Sequence, residues 1–314
     1  MRHIDPKQKS YGFAAALAAF FGWGLLPVYW KSLITVNPFE ILCHRVVWSL
    51  VFIAVILTLR RGWGETFAPL KSRRDLLILT GSSLMIGGNW LLYIWAVNND
   101  HVLDTSLGYY INPLVNVLLG FIFFRERLRP LQMVAIGLAV LGVINSLIAH
   151  GQLPWTSLAL AVSFGLYGLL RKVASVESLP GLFLETMVLG PFALAYLLWL
   201  QAHGASAMFH QGLRVDLLLM GAGVVTASPL IGFAYGARRL QLTTVGLLQY
   251  LGPSIAFLLG VFVYKEPFNA SHLLTFALIW SGLAVYTVES IVIMRAHRRL
   301  AQSKPMAQET GPDR

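Results

Sequence analysis

Four ionisable side chains sit among apolar neighbours: Glu40, His44 and Arg45 in "EILCHRVVWS", and Glu185 in "FLETMV". A carboxylate, an imidazole and a guanidinium so close together can pair with one another, hold a charged solute or pass a proton. Glu40 and His44 are four apart and share one helical face. A second stretch, "YYINPLVN" at 109–116, sets Tyr109, Tyr110, Asn112, Pro113 and Asn116 in the middle of a long oily run. At helical spacing Ser106, Tyr109, Asn112, Pro113 and Asn116 form one stripe, and Tyr110 points elsewhere. In "GGNWLLYIW" the amide of Asn89 shares a face with Met85, Tyr93 and Ala96, beside Trp90. Pro113 and Pro253 each free the carbonyl four residues earlier, on Tyr109 and Gln249. Amides, phenols and freed carbonyls can bind a solute; they do not break bonds. The sequence carries no Walker loop, metal-ligand spacing or nucleophile elbow, so neither a cofactor nor a metal is expected.

The elements that must position these groups are membrane helices. The 314 residues are 56% apolar and 12% charged, with a mean hydropathy of +0.66, far from a soluble domain. Ten apolar segments are long enough to cross about 30 Å of hydrocarbon: roughly 11–30, 38–59, 76–97, 102–124, 131–149, 153–171, 180–200, 215–237, 242–264 and 271–293. None alternates apolar and polar residues as a membrane strand would, so an all-α membrane protein is expected. The first run stays aromatic where a signal-peptide cleavage site should be small and polar, so it reads as a retained helix. Cys43, the single cysteine, excludes an internal disulfide and a thiolate metal cluster. The tail 295–314 is basic and then polar.

The net charge of +10 follows topology and is not a nucleic-acid footprint. Of the 24 Lys and Arg, only Lys31, Arg214 and Lys265 fall in one set of loops and Arg45 lies inside a span; the remainder fall on the other side. This positive-inside bias places both termini in the cytoplasm.

Displacing the sequence by 140 residues aligns "LGYYINPLVNVLLGFIFFRER" with "LLQYLGPSIAFLLGVFVYKEP" without a gap: Tyr110 meets Tyr250, Pro113 meets Pro253, Gly120 meets Gly260 and Glu126 meets Glu266. Each half, 1–150 and 151–294, is then a unit of five spans. Five is odd, so equivalent spans cross in opposite directions, a signature of secondary transporters with midplane sites. Ser106, Tyr109, Asn112 and Asn116 meet Gly246, Gln249, Gly252 and Ala256 under this offset, so the expected site is lopsided toward the first half. Its lining suits an uncharged or zwitterionic solute with an apolar part better than a strong anion. Glu40, His44 and Arg45 have two readings, an outer gate of structural pairs or solute and proton handling, and Glu185 faces the same choice with Arg171 or Lys172 as a neutralising cation. Glu126 and Glu266 read as members of helix-end ion pairs.

"EILCHRVVWS", "IGGNWLLYIWAVNND", "SLGYYINPLVNVLLGFIFFRER", "GLYGLLRK" and "QYLGP" together resemble the RarD group of the EamA family, in the drug/metabolite transporter superfamily, up to about residue 293. The resemblance implies a multi-pass protein of the bacterial cytoplasmic membrane built from two EamA repeats. Its central cavity would be lined chiefly by spans 3, 4, 8 and 9, with contributions from 1 and 6; the candidate lining residues of the second half are Tyr167, Gln249, Tyr250 and Pro253. Its partners would be a small organic solute and the bilayer. Such proteins export metabolites, amino acids or drugs.

Overall fold

The computed structural model describes residues 6–302 apart from 68–69, 71, 126, 151–152, 238 and 241–247. Among the described residues all regular structure is helical. In chain order the helices are α1 Pro6–Gly24, α2 Leu26–Lys31, α3 Pro38–Leu59, α4 Trp63–Thr66, α5 Arg73–Asn98, α6 Val102–Phe124, α7 Pro130–His150, α8 Trp155–Val173, α9 Ser178–Ala202, α10 Leu213–Ala237, α11 Leu251–Leu258 and α12 Ala270–Gln302; a π-helical turn, Leu259–Val263, continues α11.

Eight of the helices, with α1 and α2 counted as one span, are long and apolar enough to cross a membrane. The other two expected spans look different. The helix α8 has a polar edge (Ser157, Ser163, Tyr167, Arg171), and the stretch expected at 242–264 appears as the shorter helix Leu251–Val263, its first part lying outside the described residues.

Local chemistry sets the ends. The Asn37 side chain accepts the Phe39 N–H at 2.8 Å and Pro38 occupies the first turn of α3, where a missing N–H costs nothing. Ser72 likewise accepts the Asp75 N–H at 3.3 Å to start α5. Both α6 and the π turn end on a cation in left-handed backbone, Arg125 at φ 54° and Lys265 at φ 53°. These two residues are 140 apart, as are the starts of α3 and α9 (Pro38, Ser178), of α5 and α10 (Arg73, Leu213) and of α7 and α12 (Pro130, Ala270).

Helices at equivalent positions in the two halves pack antiparallel. In α7 and α12, Asn145 Nδ2 reaches Ser271 and Thr275 at 3.0–3.2 Å while Ala135 faces Gly282. In α6 and α11, Ser106 Oγ donates to the Pro253 carbonyl at 2.8 Å and Leu103 packs on Gly260. In α3 and α9, Phe39 meets Tyr196 at 4.8 Å and Leu50 covers Gly190. Around these pairs, α1 packs on α10 and α11 much as α8 packs on α5 and α6. Leu, Val, Ile and Phe cover the outer faces, as with Phe192, Phe262 and Leu77; an outward-facing hydrocarbon surface of this kind is what lipid requires.

Candidate functional site

Arg45 stands seven residues into α3, about 10 Å along the helix from its start. It is buried, 5% exposed, and its guanidinium carbon lies 4.1 Å from the centroid of the Trp90 ring and 5.2 Å from that of Trp30. Nε and Nη1 have no hydrogen-bond partner. No carboxylate forms an ion pair with it among the described residues, and its electrostatic neighbours are the phenols of Tyr93 and Tyr109. The two ring faces contribute on the order of 2 kcal/mol each when desolvated, against a desolvation cost of several kcal/mol for a buried guanidinium. The charge therefore sits in an aromatic box that leaves Nε and Nη1 unsatisfied.

From this box a line of rings leads to the other half of the protein. Tyr93 and Tyr109 lie 5.7 Å apart, Tyr109 and Phe164 6.0 Å, Phe164 and Tyr167 5.9 Å. Tyr167 Oη donates to Glu185 Oε2 at 3.3 Å and Ser82 Oγ donates to Oε1 at 2.7 Å. Arg171 Nη1 is 3.7 Å from Glu185 Oε1, while its Nη2 donates to the Glu177 carbonyl at 3.0 Å. Glu185, 1% exposed, is thus solvated by protein, with its cation beside it. Asn89 donates through Nδ2 to the Leu160 carbonyl and to Ser163 Oγ, at 3.0 and 2.9 Å, and keeps a buried Oδ1 without a partner, as does Asn112.

The other residues expected from sequence lie apart from this line. Glu40 Oε1 accepts the Ala207 N–H at 2.7 Å and the Ser206 hydroxyl at 3.1 Å, tying α3 to the loop after α9. His44 Nε2 is 3.9 Å from that carboxylate, and neither ring nitrogen has a hydrogen-bond partner. Pro113 is buried inside an unbroken α6, and Asn116 is exposed near Gly165 of α8. Gln249 and Tyr250 form the turn before α11, with Pro253 in its first turn. Tyr250 stacks on its repeat mate Tyr110 at 6.5 Å. Tyr110, expected to point away, anchors that second cluster: its hydroxyl is 2.6 Å from Ser254 Oγ and its ring meets Trp280 at 5.8 Å. A groove of about 400 Å³ opens there, lined by Tyr110, Ser254, Phe257, Leu258 and Trp280.

At the end of α6 nearer Lys31, Glu266 accepts the N–H groups of Val102 and Leu103 at 2.7 and 2.8 Å. It caps a helix of the other half, where an ion pair with Lys265 was expected. Lys31 pairs instead with Asp100 and lies 5.0 Å over the Tyr264 ring. Glu126 lies outside the described residues.

The chain matches the model of the EamA-like transporter family twice, over residues 10–148 and 154–288. It belongs to that family. An uncharacterized transporter of Vibrio cholerae is 46% identical over 94% of this chain and 98% of its own. Protein RarD of Escherichia coli is 44% identical over 93% and 99%. The chloramphenicol-sensitive protein RarD of Pseudomonas aeruginosa is 32% identical over 92% and 97%. A crystal structure 21% identical in sequence, covering 89% of this chain and 98% of its own, shares the fold at a TM-score of 0.56. As an EamA-like protein with membrane-length apolar helices, the chain is a multi-pass membrane transporter.

Within this family frame, sequence reasoning missed Trp30 and Ser82. Trp30 lies in "PVYW" of the first span, and its ring meets Arg45 of α3 at 5.2 Å, a contact between helices that no local spacing encodes. Ser82 lies seven residues before Asn89 and so on the same face of α5, a spacing that could have found it.

Proposed function

We propose that this EamA-like protein is a secondary transporter of the bacterial cytoplasmic membrane that moves a small organic solute outward by alternating access. Ten spans arranged as two inverted five-helix repeats, 1–150 and 151–294, would rock about the interface between them, with both termini and the 295–314 tail in the cytoplasm. The antiparallel packing of equivalent helices and the recurring 140-residue offset of helix starts support the inversion. The double family match supports the repeat.

The observation that carries the reading is the line from Arg45 to Glu185. Polar groups at membrane depth are expensive and are retained where they meet solute, water or one another. Here Nε and Nη1 of Arg45, Asn89 Oδ1 and Asn112 Oδ1 are buried without partners, and the rings between them form one packed line. Membrane depth with no water or solute would make each of these atoms a pure cost.

A second reading couples export to protons. His44, with both nitrogens unpartnered, and Glu185 are the carriers it would use. Proteoliposomes loaded with a metabolite mixture and with chloramphenicol, the drug in the name of the Pseudomonas aeruginosa relative, test both: release through the protein supports transport, and dependence on an imposed pH gradient supports coupling. If no solute crosses faster than in empty liposomes under either condition, the transporter reading fails.

A further inference from the structure

The two halves treat their buried charges differently. Glu185 in the second half has Arg171 3.7 Å away, plus Ser82 and Tyr167 as donors. Arg45 lies 140 residues earlier, at the equivalent position in the antiparallel α3, and has no anion among the described residues; two of its nitrogens donate to nothing. The nearest carboxylate on its own helix, Glu40, is engaged by Ala207 and Ser206. What surrounds Arg45 is flat and apolar: Trp90 at 4.1 Å, Trp30 at 5.2 Å, with Tyr93 and Tyr109 beyond. A guanidinium is a planar fork matched to a carboxylate, and the rings that stack on it also stack on a planar ligand.

We propose that Arg45 is the anion-holding residue of the solute site, binding the carboxylate of a small organic acid whose flat apolar body lies among Trp30, Trp90, Tyr93 and Tyr109. The proposal rests on the transporter reading and sharpens it: the solute carries at least one carboxylate, where the sequence alone favoured an uncharged or zwitterionic molecule. Glu185 takes no part in holding that carboxylate, because its charge would repel it and Arg171 already neutralises it.

Binding of radiolabelled benzoate and 3-phenylpropionate to the purified full chain in detergent, competed by each unlabelled acid and by benzamide and 3-phenylpropionamide, tests this directly. The wild type should bind at least one acid saturably, with the acid competing at least about tenfold better than its amide, the difference a lost charge-assisted fork should make. Arg45→Lys should weaken the acid about tenfold because an ammonium cannot form the fork, and Arg45→Gln should erase the preference for acid over amide. The acid-to-amide comparison on wild-type protein stands even if a variant fails to fold, which size-exclusion profiles would reveal. Absence of saturable acid binding, equal competition by acid and amide, or a folded Arg45→Gln protein that keeps its preference would each overturn the proposal. Solutes released equally by wild-type and Arg45→Gln proteoliposomes would remove the anion site and leave transport standing, whereas acid binding without release of any solute would do the reverse.

Discussion

Arg45 and Glu185 occupy the same register in the two halves: each is the eighth residue of its helix, in α3 from Pro38 and in α9 from Ser178, and those helices run antiparallel. The buried cation therefore lies toward one end of this antiparallel helix pair and the buried anion toward the other. Among the described residues only the anion has a counter-charge, Arg171, and this can be measured. Removing one partner of a buried pair leaves an uncompensated charge at a cost of about 3–5 kcal/mol, while replacing both with apolar groups is close to neutral. Glu185→Leu should therefore lower the melting temperature of detergent-solubilised protein sharply, and Arg171→Leu/Glu185→Leu should recover most of the loss. A double variant no more stable than Glu185→Leu alone would mean that Arg171 is not the counter-charge.

Helix crossings give a second, purely steric prediction. A Cβ built on Gly223 of α10 would fall onto the backbone of Trp48 and Ser49 in α3, whereas one on Gly137 of α7 meets nothing within 4 Å. Backbone cannot move aside as a flexible side chain can, so Gly223→Ala should cost about 1–3 kcal/mol or abolish membrane accumulation. Gly137→Ala should be neutral or stabilise by up to about 1 kcal/mol, since it removes unfolded-state freedom at an open site. Equal melting temperatures for the two variants would show that α3 and α10 do not pack this closely.

Glu266 provides the pH prediction. Burial is the largest influence on its carboxyl and pushes its pKa above the usual range, the N–H groups of Leu103 and Val102 and the Lys31 charge pull the other way, and Asp104 adds to the rise. A carboxyl with a raised folded-state pKa binds more protons folded than unfolded, so its contribution to stability is full at pH below the ordinary carboxylate value and falls as pH rises through the folded-state value. The melting temperature of wild type minus that of Glu266→Gln should accordingly grow as pH is lowered from 7 toward 5. Glu266→Ala, which leaves the Val102 and Leu103 N–H groups uncapped, should cost about 1–2 kcal/mol near pH 7 and more as pH is lowered, by the same linkage. A pH-independent gap between wild type and the glutamine variant would contradict the assignment.

Composition and periodicity made the helical architecture legible because a bilayer admits few alternatives, and the 140-residue offset was visible because Pro, Gly and Tyr recur at sites where backbone geometry or close packing demands them. Arg45 and Glu185 were found for the same reason: ionisable groups stand out against hydrocarbon. Their partners were less legible. That Glu266 would cap α6 of the other half, and that Glu40 would hold Ser206 and Ala207, depend on contacts across more than 160 residues, which no local spacing encodes. Helical phase put Tyr110 off the stripe, as it is, but phase says which face a side chain occupies and not which neighbour that face meets; its face meets Tyr250, Ser254 and Trp280. The amphipathic α8 read as an ordinary span because its leucines mask the stripe of Ser157, Ser163, Tyr167 and Arg171.

The stripe on α6 leads to the last prediction. Tyr109 joins the line of rings between Arg45 and Glu185, Asn112 holds a buried Oδ1 without a partner, and Asn116 is exposed one turn further along. If Asn112 served only as packing, its unpaired oxygen would be a defect costing about 1–3 kcal/mol, and Asn112→Leu, with the same branching of heavy atoms, would improve the fold without changing activity. If the amide instead meets solute in one state of the transport cycle, the same substitution should raise the melting temperature and still slow solute release from proteoliposomes several-fold. Ser106→Ala supplies the contrast, since Ser106 donates to the Pro253 carbonyl and ties α6 to α11; its loss should cost about 1 kcal/mol with a smaller effect on release. A cysteine at 112 in a Cys43→Ser background should react with a small water-soluble maleimide, and transported solute should slow the reaction. An Asn112→Leu protein that is more stable and transports at the wild-type rate, with an unreactive cysteine at 112, would show that "YYINPLVN" binds helices together and that solute passes elsewhere.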